Sequence, residues 1–193
     1  MNAAAKNRRT RPPALKVDRT VALVGMMGAG KTTVGRRLAA RLALPFCDAD
    51  AEIEKAAGMS VSDLFALHGE ESFRRGEAQV IARLLAGPPH VLATGGGAVV
   101  DPGTRRLLKE RAITVWIRAD AETLARRAAR RDTRPLLREG DPRAVIERLL
   151  AERAPYYAQA DIAVDSQPGP HAATVALILD AIAEHLGVER TAS

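Results

Sequence analysis

Five short apolar stretches recur along the chain, and segments with a helical spacing of apolar residues lie between them. The five stretches are TVALVG (20–25), PFCDAD (45–50), HVLATGG (90–96), ITVWIR (113–118) and DIAVDS (161–166). Residues 31–43 and 77–87 instead show the apolar spacing of an amphipathic helix, and a last helix is predicted over about 171–187. Strands that alternate with helices predict βαβ units and a mainly parallel sheet, so the fold class is α/β.

The length and the charge distribution predict one domain with a basic tail. Six lysines and arginines against one aspartate lie in residues 1–19, which gives this segment +5 of the net charge of +6. We predict that residues 1–16 form a disordered basic tail, that the domain covers 17–188, and that 189–193 are flexible. A weak polyanion-binding arm is the alternative for the tail. Because the rest of the chain carries only +1, we expect no nucleic-acid partner.

Other features of the composition indicate the class of protein. No signal peptide and no run of 18 apolar residues are visible, so we expect no membrane span. Cys47 is the only cysteine, which fits a reducing compartment, and we expect a cytoplasmic monomer. We interpret Cys47 and Trp116 as packing residues. Histidines without metal-ligand spacing are interpreted as structural or surface residues, namely His68, His90, His171 and His185.

The segment GMMGAGKTTVG (25–35) follows the first predicted strand and precedes a predicted helix. Its Gly25, Gly30, Lys31 and Thr32 fit the pattern G-x-x-x-x-G-K-[ST], a P-loop. In a P-loop, backbone N–H groups and the helix N-terminus bind phosphate, the lysine reaches the β- and γ-phosphates, and the hydroxyl binds Mg²⁺. The pattern predicts a nucleoside triphosphate with Mg²⁺ and leaves the acceptor open.

Polar motifs at the ends of later strands bear on the acceptor. Asp48 and Asp50 stand two apart, so in extended geometry both side chains face the same way. One carboxylate could hold the hydration shell of Mg²⁺ and the other could orient or deprotonate a hydroxyl; capping of the next helix is the alternative. Gly95, Gly96 and Gly97 could bring a small ligand against backbone N–H groups, or form a flexible turn.

Arginines provide a further signal. Arg74 and Arg75, at the start of a predicted helix, cannot point the same way, so one could face a cleft while the other pairs in solvent. The arginine-dense segment 126–137 contains Pro135 and is typical of a lid over a polyphosphate, although a solvated charge run has the same composition. Arg153 is another arginine that the fold could bring to an anionic acceptor.

As a set, the motifs GMMGAGKTTVGRRLA, DADAEIE, FRRGE, GGG, RPLL and ERAPYY resemble those of shikimate kinases, in the family order, over about 17–187. The resemblance implies a three-layer P-loop kinase fold, with a five-stranded parallel sheet in the order 2-3-1-4-5 flanked by helices and a mobile lid at about 126–139. It implies ATP-dependent phosphorylation of the 3-hydroxyl of shikimate. The products would be shikimate 3-phosphate and ADP, in chorismate and aromatic amino-acid biosynthesis.

The resemblance also implies roles for individual residues, with shikimate and MgATP as the partners. The catalytic residues would be Lys31, Asp50 and Arg134. Those that bind ATP would be Gly28, Ala29, Gly30, Lys31, Thr32, Thr33, Arg134 and, in the loop DSQPG, Gln167. Those that bind shikimate would be Asp50, Arg74, Gly95, Gly96, Gly97 and Arg153. Mg²⁺ would be held by Thr32 and, through water, by Asp48.

Two other functions are compatible with a P-loop. One is a different small-acceptor kinase, for gluconate or a nucleoside monophosphate, but aromatic residues that could stack on a base make up only 3% of the chain. The other is a regulatory or RNA-associated ATP-binding module that uses the basic tail. In that interpretation the paired aspartates and the glycine triplet (Gly95 to Gly97) have no role.

Overall fold

A five-stranded parallel sheet forms the centre of the computed structural model, which describes residues 15–128, 141–166 and 171–188. Its strands are β1 (Thr20–Val24), β2 (Phe46–Asp48), β3 (Val91–Ala93), β4 (Ala112–Arg118) and β5 (Ile162–Asp165). They lie in the order β2-β3-β1-β4-β5, and every strand pair is parallel. The predicted α/β class and strand order are confirmed.

Seven helices and one short 3₁₀ helix connect the described strands. Their bounds are α1 (Lys31–Leu42), α2 (Ala49–Ala57), α3 (Val61–Leu85), η1 (Ala98–Val100), α4 (Pro102–Arg111), α5 (Ala121–Ala128), α6 (Pro142–Tyr157) and α7 (His171–His185). Side-chain caps begin several of them: Ser60 accepts from the Asp63 N–H, and Asp101, followed by proline, accepts from the Thr104 N–H. Gly69, at φ 74° and ψ 169°, interrupts α3.

The central strand is apolar on both faces because helices cover both sides of the sheet. Val21 and Leu23 pack with one set of helices, whereas Ala22 and Val24 face the other. The first core takes buried residues from α1, α5, α6 and α7, and the second from α3 and α4; representative residues are Leu38, Leu124, Ile146 and Ile178 in the first and Ile81 and Leu108 in the second. This double cover leaves the carboxyl edge of the sheet for binding.

The strands next to the P-loop are shorter than predicted. The stretch predicted at 45–50 ends as a strand at Asp48, because Asp48 caps α2 and the chain turns helical at once. The stretch predicted at 90–96 ends at Ala93, since the next residues leave the sheet and approach the first strand's loop. Both early endings bring polar groups to the same edge of the sheet.

The first described residues belong to the packed structure. Leu15 packs against the first core, and Val17 is buried within it. The packed part therefore begins before Val17, although the boundary was predicted there. The remaining tail (1–14), the C-terminal residues 189–193 and most of the predicted lid (126–139) lie outside the described residues. Among the helices that are described, none has the length and apolar character needed to cross a membrane.

Candidate active site

A cleft of about 680 Å³ opens at the carboxyl edge of the sheet, between the P-loop, α2, α3 and the glycine triplet. Twelve of the predicted site residues line it: Gly28, Gly30, Lys31, Thr32, Thr33, Asp48, Asp50, Arg74, Gly95, Gly96, Gly97 and Arg153. Ala29 is not among its lining residues; it is fully buried, and its N–H donates to the Met26 carbonyl at 3.2 Å. Arg134 and Gln167 lie outside the described residues.

One end of the cleft is built to receive an anion. Gly28 (φ 84°) and Gly30 (φ 91°) carry the loop through left-handed backbone into α1, and a Cβ at Gly28 would lie 2.6 Å from the Leu124 carbonyl oxygen. The N-terminus of α1, where the first N–H groups of a helix have no partner within the helix, gives this end a positive potential. Lys31 is buried there, and its Nζ donates to the carbonyl oxygens of Gly25 at 2.6 Å and Met26 at 3.0 Å.

Beside Lys31, hydroxyl and carboxylate oxygens converge. Thr32 Oγ1 donates to Asp48 Oδ2 at 2.7 Å. Oxygen ligands of this kind suit Mg²⁺, which commonly binds through one or two protein groups, water and substrate phosphates. No cluster of three or more His, Cys, Asp or Glu that could hold a metal occurs in the parts of the chain that the structure describes. The residues present fit a magnesium ion carried in with a nucleotide.

The predicted extended geometry of Asp48 and Asp50 is wrong. Asp48 is the N-cap of α2 and accepts a hydrogen bond from the Asp50 N–H at 3.1 Å, so Asp50 lies in the first turn of that helix. Capping prevails because the first N–H groups of a helix have no partner within it. Both carboxylates still line the cleft, with Asp48 toward Thr32 and Asp50 toward Gly95.

The two neighbouring arginines of α3 face different surroundings. Arg74 lines the cleft, donates to Glu77 at 2.7 Å, and lies over the rings of Phe73 and Phe65 at 5.2 and 5.7 Å from their centroids. The Arg75 side chain is 70% exposed and pairs with a glutamate on the outer surface. The side chains of successive residues on a helix point about 100° apart, so Arg74 points into the cleft and Arg75 does not.

The glycine triplet is packed by charged side chains. A Cβ at Gly95 would overlap the Glu77 carboxylate, and one at Gly97 would overlap the Arg74 guanidinium. The predicted reason for the glycines was direct approach of a ligand to the backbone. In the structure they first make room for two side chains of the protein, and these side chains then form the wall of the cleft.

Two groups deep in the cleft are buried with polar atoms that have no hydrogen-bond partner among the described residues. They are Arg153 Nη1, on a residue 6% exposed, and Glu77 Oε1, on a residue 2% exposed. Burial raises the pKa of the Glu77 carboxyl, and the neighbouring Arg74 opposes that shift. A buried guanidinium with a free donor is suited to bind a carboxylate.

Ten residues that line the cleft were not among the predicted site residues, and three of them, Glu77, His171 and Arg127, bear most directly on ligand binding; Arg127 was predicted only as part of the lid. Glu77 stands three positions after Arg74, and this i, i+3 spacing was a usable signal for an ion pair. His171 was interpreted as a structural or surface residue. It instead lines the phosphate end of the cleft, where its Cε1 would lie 3.4 Å from a Cβ at Gly30. Burial lowers the pKa of His171, as do Arg127 and Arg37. Arg127 also lines the cleft and donates to Ser166 Oγ at 3.1 Å.

Comparison with known proteins identifies relatives of this chain. A sequence model of the shikimate kinase family matches residues 27–183. The chain is 56% identical over 176 residues to the shikimate kinase of Paramagnetospirillum magneticum, covering 91% of this chain and 90% of that protein. It is 62% identical over 153 residues to the shikimate kinase of Nitrobacter winogradskyi, covering 79% of this chain and 72% of that one.

A solved structure agrees with these relatives. The shikimate kinase of Acinetobacter baumannii in complex with shikimate is 37% identical, with a TM-score of 0.85. The match covers 88% of this chain and 95% of the Acinetobacter chain.

Proposed function

The chain belongs to the shikimate kinase family, and we propose that its cleft transfers the γ-phosphoryl group of ATP to the 3-hydroxyl of shikimate. The protein is a kinase with an alcohol acceptor, and its product is used in aromatic biosynthesis. We also propose that the enzyme acts as a monomer in the cytoplasm, where ATP is available.

The observation that carries the proposal is the buried Nη1 of Arg153, which has no hydrogen-bond partner among the described residues, on a side chain that lines the same cleft as the P-loop lysine. Shikimate has one carboxylate and three hydroxyls. Arg153, with Arg74 beside it, can bind the carboxylate at one end of the cleft. Lys31 lies at the other end, where the nucleotide phosphates would bind. An acceptor held between them presents its hydroxyls to Asp50 and to the glycine triplet.

Phosphoryl transfer depends mainly on positioning and on neutralisation of charge. Lys31 and the N-terminus of α1 hold the terminal phosphates. Thr32 and, through water, Asp48 would hold Mg²⁺, which supplies charge neutralisation on the phosphate oxygens when bound. Asp50 accepts a hydrogen bond from the attacking hydroxyl and orients it. In a loose transition state the bond from that oxygen to phosphorus has barely formed, so little charge develops on the oxygen and a strong base is unnecessary.

The roles of Arg134 and Gln167 belong to the same proposal. Arg134 would neutralise charge on the phosphate in transfer, and Gln167 would contact the nucleotide. Among the described residues, Arg127 and His171 line the cleft beside the P-loop and lie where the rest of the nucleotide could extend. They add two candidates to the ATP-binding set.

An acceptor panel tests the function. Purified protein with MgATP is given shikimate, gluconate or nucleoside monophosphates, and ADP release is followed for each. We expect turnover with shikimate alone, because the relatives that match this chain over most of its length are shikimate kinases. The buried arginine by itself would also accept the carboxylate of gluconate. The Lys31→Ala variant, purified in the same way, controls for contaminating kinases. Turnover with gluconate or a nucleotide but not with shikimate would contradict the proposal, as would equal ADP release with no acceptor.

A further inference from the structure

A buried tyrosine connects three parts of the cleft that are distant in sequence. Tyr157 is the last residue of α6 and is 1% exposed. Its hydroxyl donates to the Gly96 carbonyl oxygen, in the middle of the glycine triplet. The same hydroxyl lies 3.7 Å from the Met26 sulfur, in the P-loop. One side chain therefore touches the wall of the acceptor site and the loop that would hold the phosphates.

The helix that carries Tyr157 also carries Arg153. The two residues are four positions apart, so their side chains lie on the same face of α6, one turn apart. Arg153 has a buried donor without a partner among the described residues, whereas Tyr157 is bonded to the triplet. Arg153 therefore lies one helical turn from a hydroxyl that is hydrogen-bonded to the glycine triplet.

The surroundings keep this hydroxyl in place as a donor. The Tyr157 ring stacks on Trp116 of β4, with 5.8 Å between the ring centroids and 28° between the planes. Burial raises the pKa of Tyr157 to about 12, and the charge of Arg153 opposes that shift. At neutral pH the phenol keeps its proton and can donate to the carbonyl.

We propose that Tyr157 is a positioning residue of the acceptor site, whose hydrogen bond to Gly96 sets the separation between Arg153 and the glycine triplet. It acts through these groups and lines no part of the cleft itself. This inference rests on the proposed function, because the acceptor is taken to be shikimate. A tyrosine that served only to fill the core would need its ring and not its hydroxyl, which separates the two roles experimentally.

The test compares Tyr157→Phe with Tyr156→Phe. Tyr156 is the adjacent residue, and its ring lies under the Arg105 guanidinium at 4.4 Å. Loss of the Tyr157 hydroxyl leaves the Gly96 carbonyl without this donor, and we expect the KM for shikimate to rise about tenfold, the scale of one lost hydrogen bond. The KM for ATP should stay within about twofold in both variants, and Tyr156→Phe should match wild type for both substrates.

A second measurement does not depend on the stability of Tyr157→Phe. The chain has two tyrosines, so a Tyr156→Phe protein grown with 3-fluorotyrosine carries the label at Tyr157 alone. We expect its ¹⁹F resonance to shift when shikimate saturates the site, because shikimate would contact the glycine triplet and the Gly96 carbonyl accepts a hydrogen bond from the Tyr157 hydroxyl. MgADP should shift the resonance less, because the nucleotide would reach Tyr157 only through Met26 of the P-loop.

The outcomes separate this inference from the proposed function. No shikimate turnover by wild type overturns the function and the inference together. Wild-type turnover with an unchanged shikimate KM in Tyr157→Phe, whether or not its melting temperature falls, overturns the positioning role alone. The positioning role is also overturned if the KM values for shikimate and ATP rise equally in Tyr157→Phe. It is overturned as well if shikimate does not shift the fluorine resonance.

Discussion

Replacement of Lys31 by alanine is expected to lower kcat by roughly two to three orders of magnitude, the scale for losing one preorganised donor to developing charge. Lys31 is buried at the phosphate end of the cleft, where its ammonium group already lies 2.6 and 3.0 Å from two carbonyl oxygens of the loop. Low solvent access makes its charge more effective there than on the surface. Steady-state kinetics with saturating shikimate and MgATP measure the change.

A cation elsewhere on the same helix provides the control. Arg36 is exposed on α1 and lies over the Phe46 ring at 4.9 Å, outside the cleft. Arg36→Ala should retain kcat within about twofold, because surface charge contributes little to a distant transition state. Activity of Lys31→Ala within a few-fold of wild type would remove Lys31 from the catalytic residues. An equal loss in Arg36→Ala would point to damage to α1 instead.

Replacement of Arg153 by alanine is expected to raise the KM for shikimate by about two orders of magnitude, the scale for truncating one member of a buried charge pair. The KM for ATP should change by less than about threefold, since the phosphate end of the cleft is built from other residues. The physical reason is the buried Nη1 of Arg153, a donor that a substrate carboxylate would satisfy. Initial rates with each substrate varied in turn give both constants.

Two variants on the same helix sharpen this test. Arg153→Lys keeps the positive charge but loses the paired donors, so its shikimate KM should lie between those of wild type and Arg153→Ala. Arg148→Ala removes an exposed arginine of α6 and should match wild type. Equal losses of shikimate and ATP affinity in Arg153→Ala would contradict binding of the carboxylate by this residue.

The fold was predictable from the sequence because its signals are local and redundant. Residues 21–24 are apolar without alternation, and such a strand is buried on both faces, which requires helices on each side of a parallel sheet. The P-loop is recognisable in the sequence because its glycines stand at fixed distances from Lys31. Strand ends were less predictable, because the cap formed by Asp48 depends on where the chain turns, and the apolar pattern continues past that point.

The candidate site was predictable in its membership and less so in its geometry. Arg74 was distinguished from Arg75 by position in a motif, and the structure places only Arg74 at the cleft. Glu77 was missed because its importance comes from burial against Gly95, a contact between distant segments that the sequence does not display. The same holds for Tyr157, whose partner Gly96 is 61 positions away.

His171 illustrates a different limit. The lack of metal-ligand spacing predicts a structural or surface residue, but a histidine can line a binding site without binding metal. Its place at the start of α7 brings it against Gly30 of the P-loop, and only the packing of α7 on α1 makes that contact. Motif reasoning therefore recovers residues that act in a recognisable pattern and overlooks residues brought in by tertiary packing.

A crystal structure with shikimate and MgADP tests the central claim most directly, because that claim concerns where two ligands lie relative to each other. We predict one cleft with the shikimate carboxylate on Arg153 and Arg74, and with a ring hydroxyl at Asp50 facing the phosphate end that Lys31 occupies. Shikimate bound outside this cleft would contradict the account. So would the reverse orientation, with the carboxylate toward Lys31 and the hydroxyls toward Arg153.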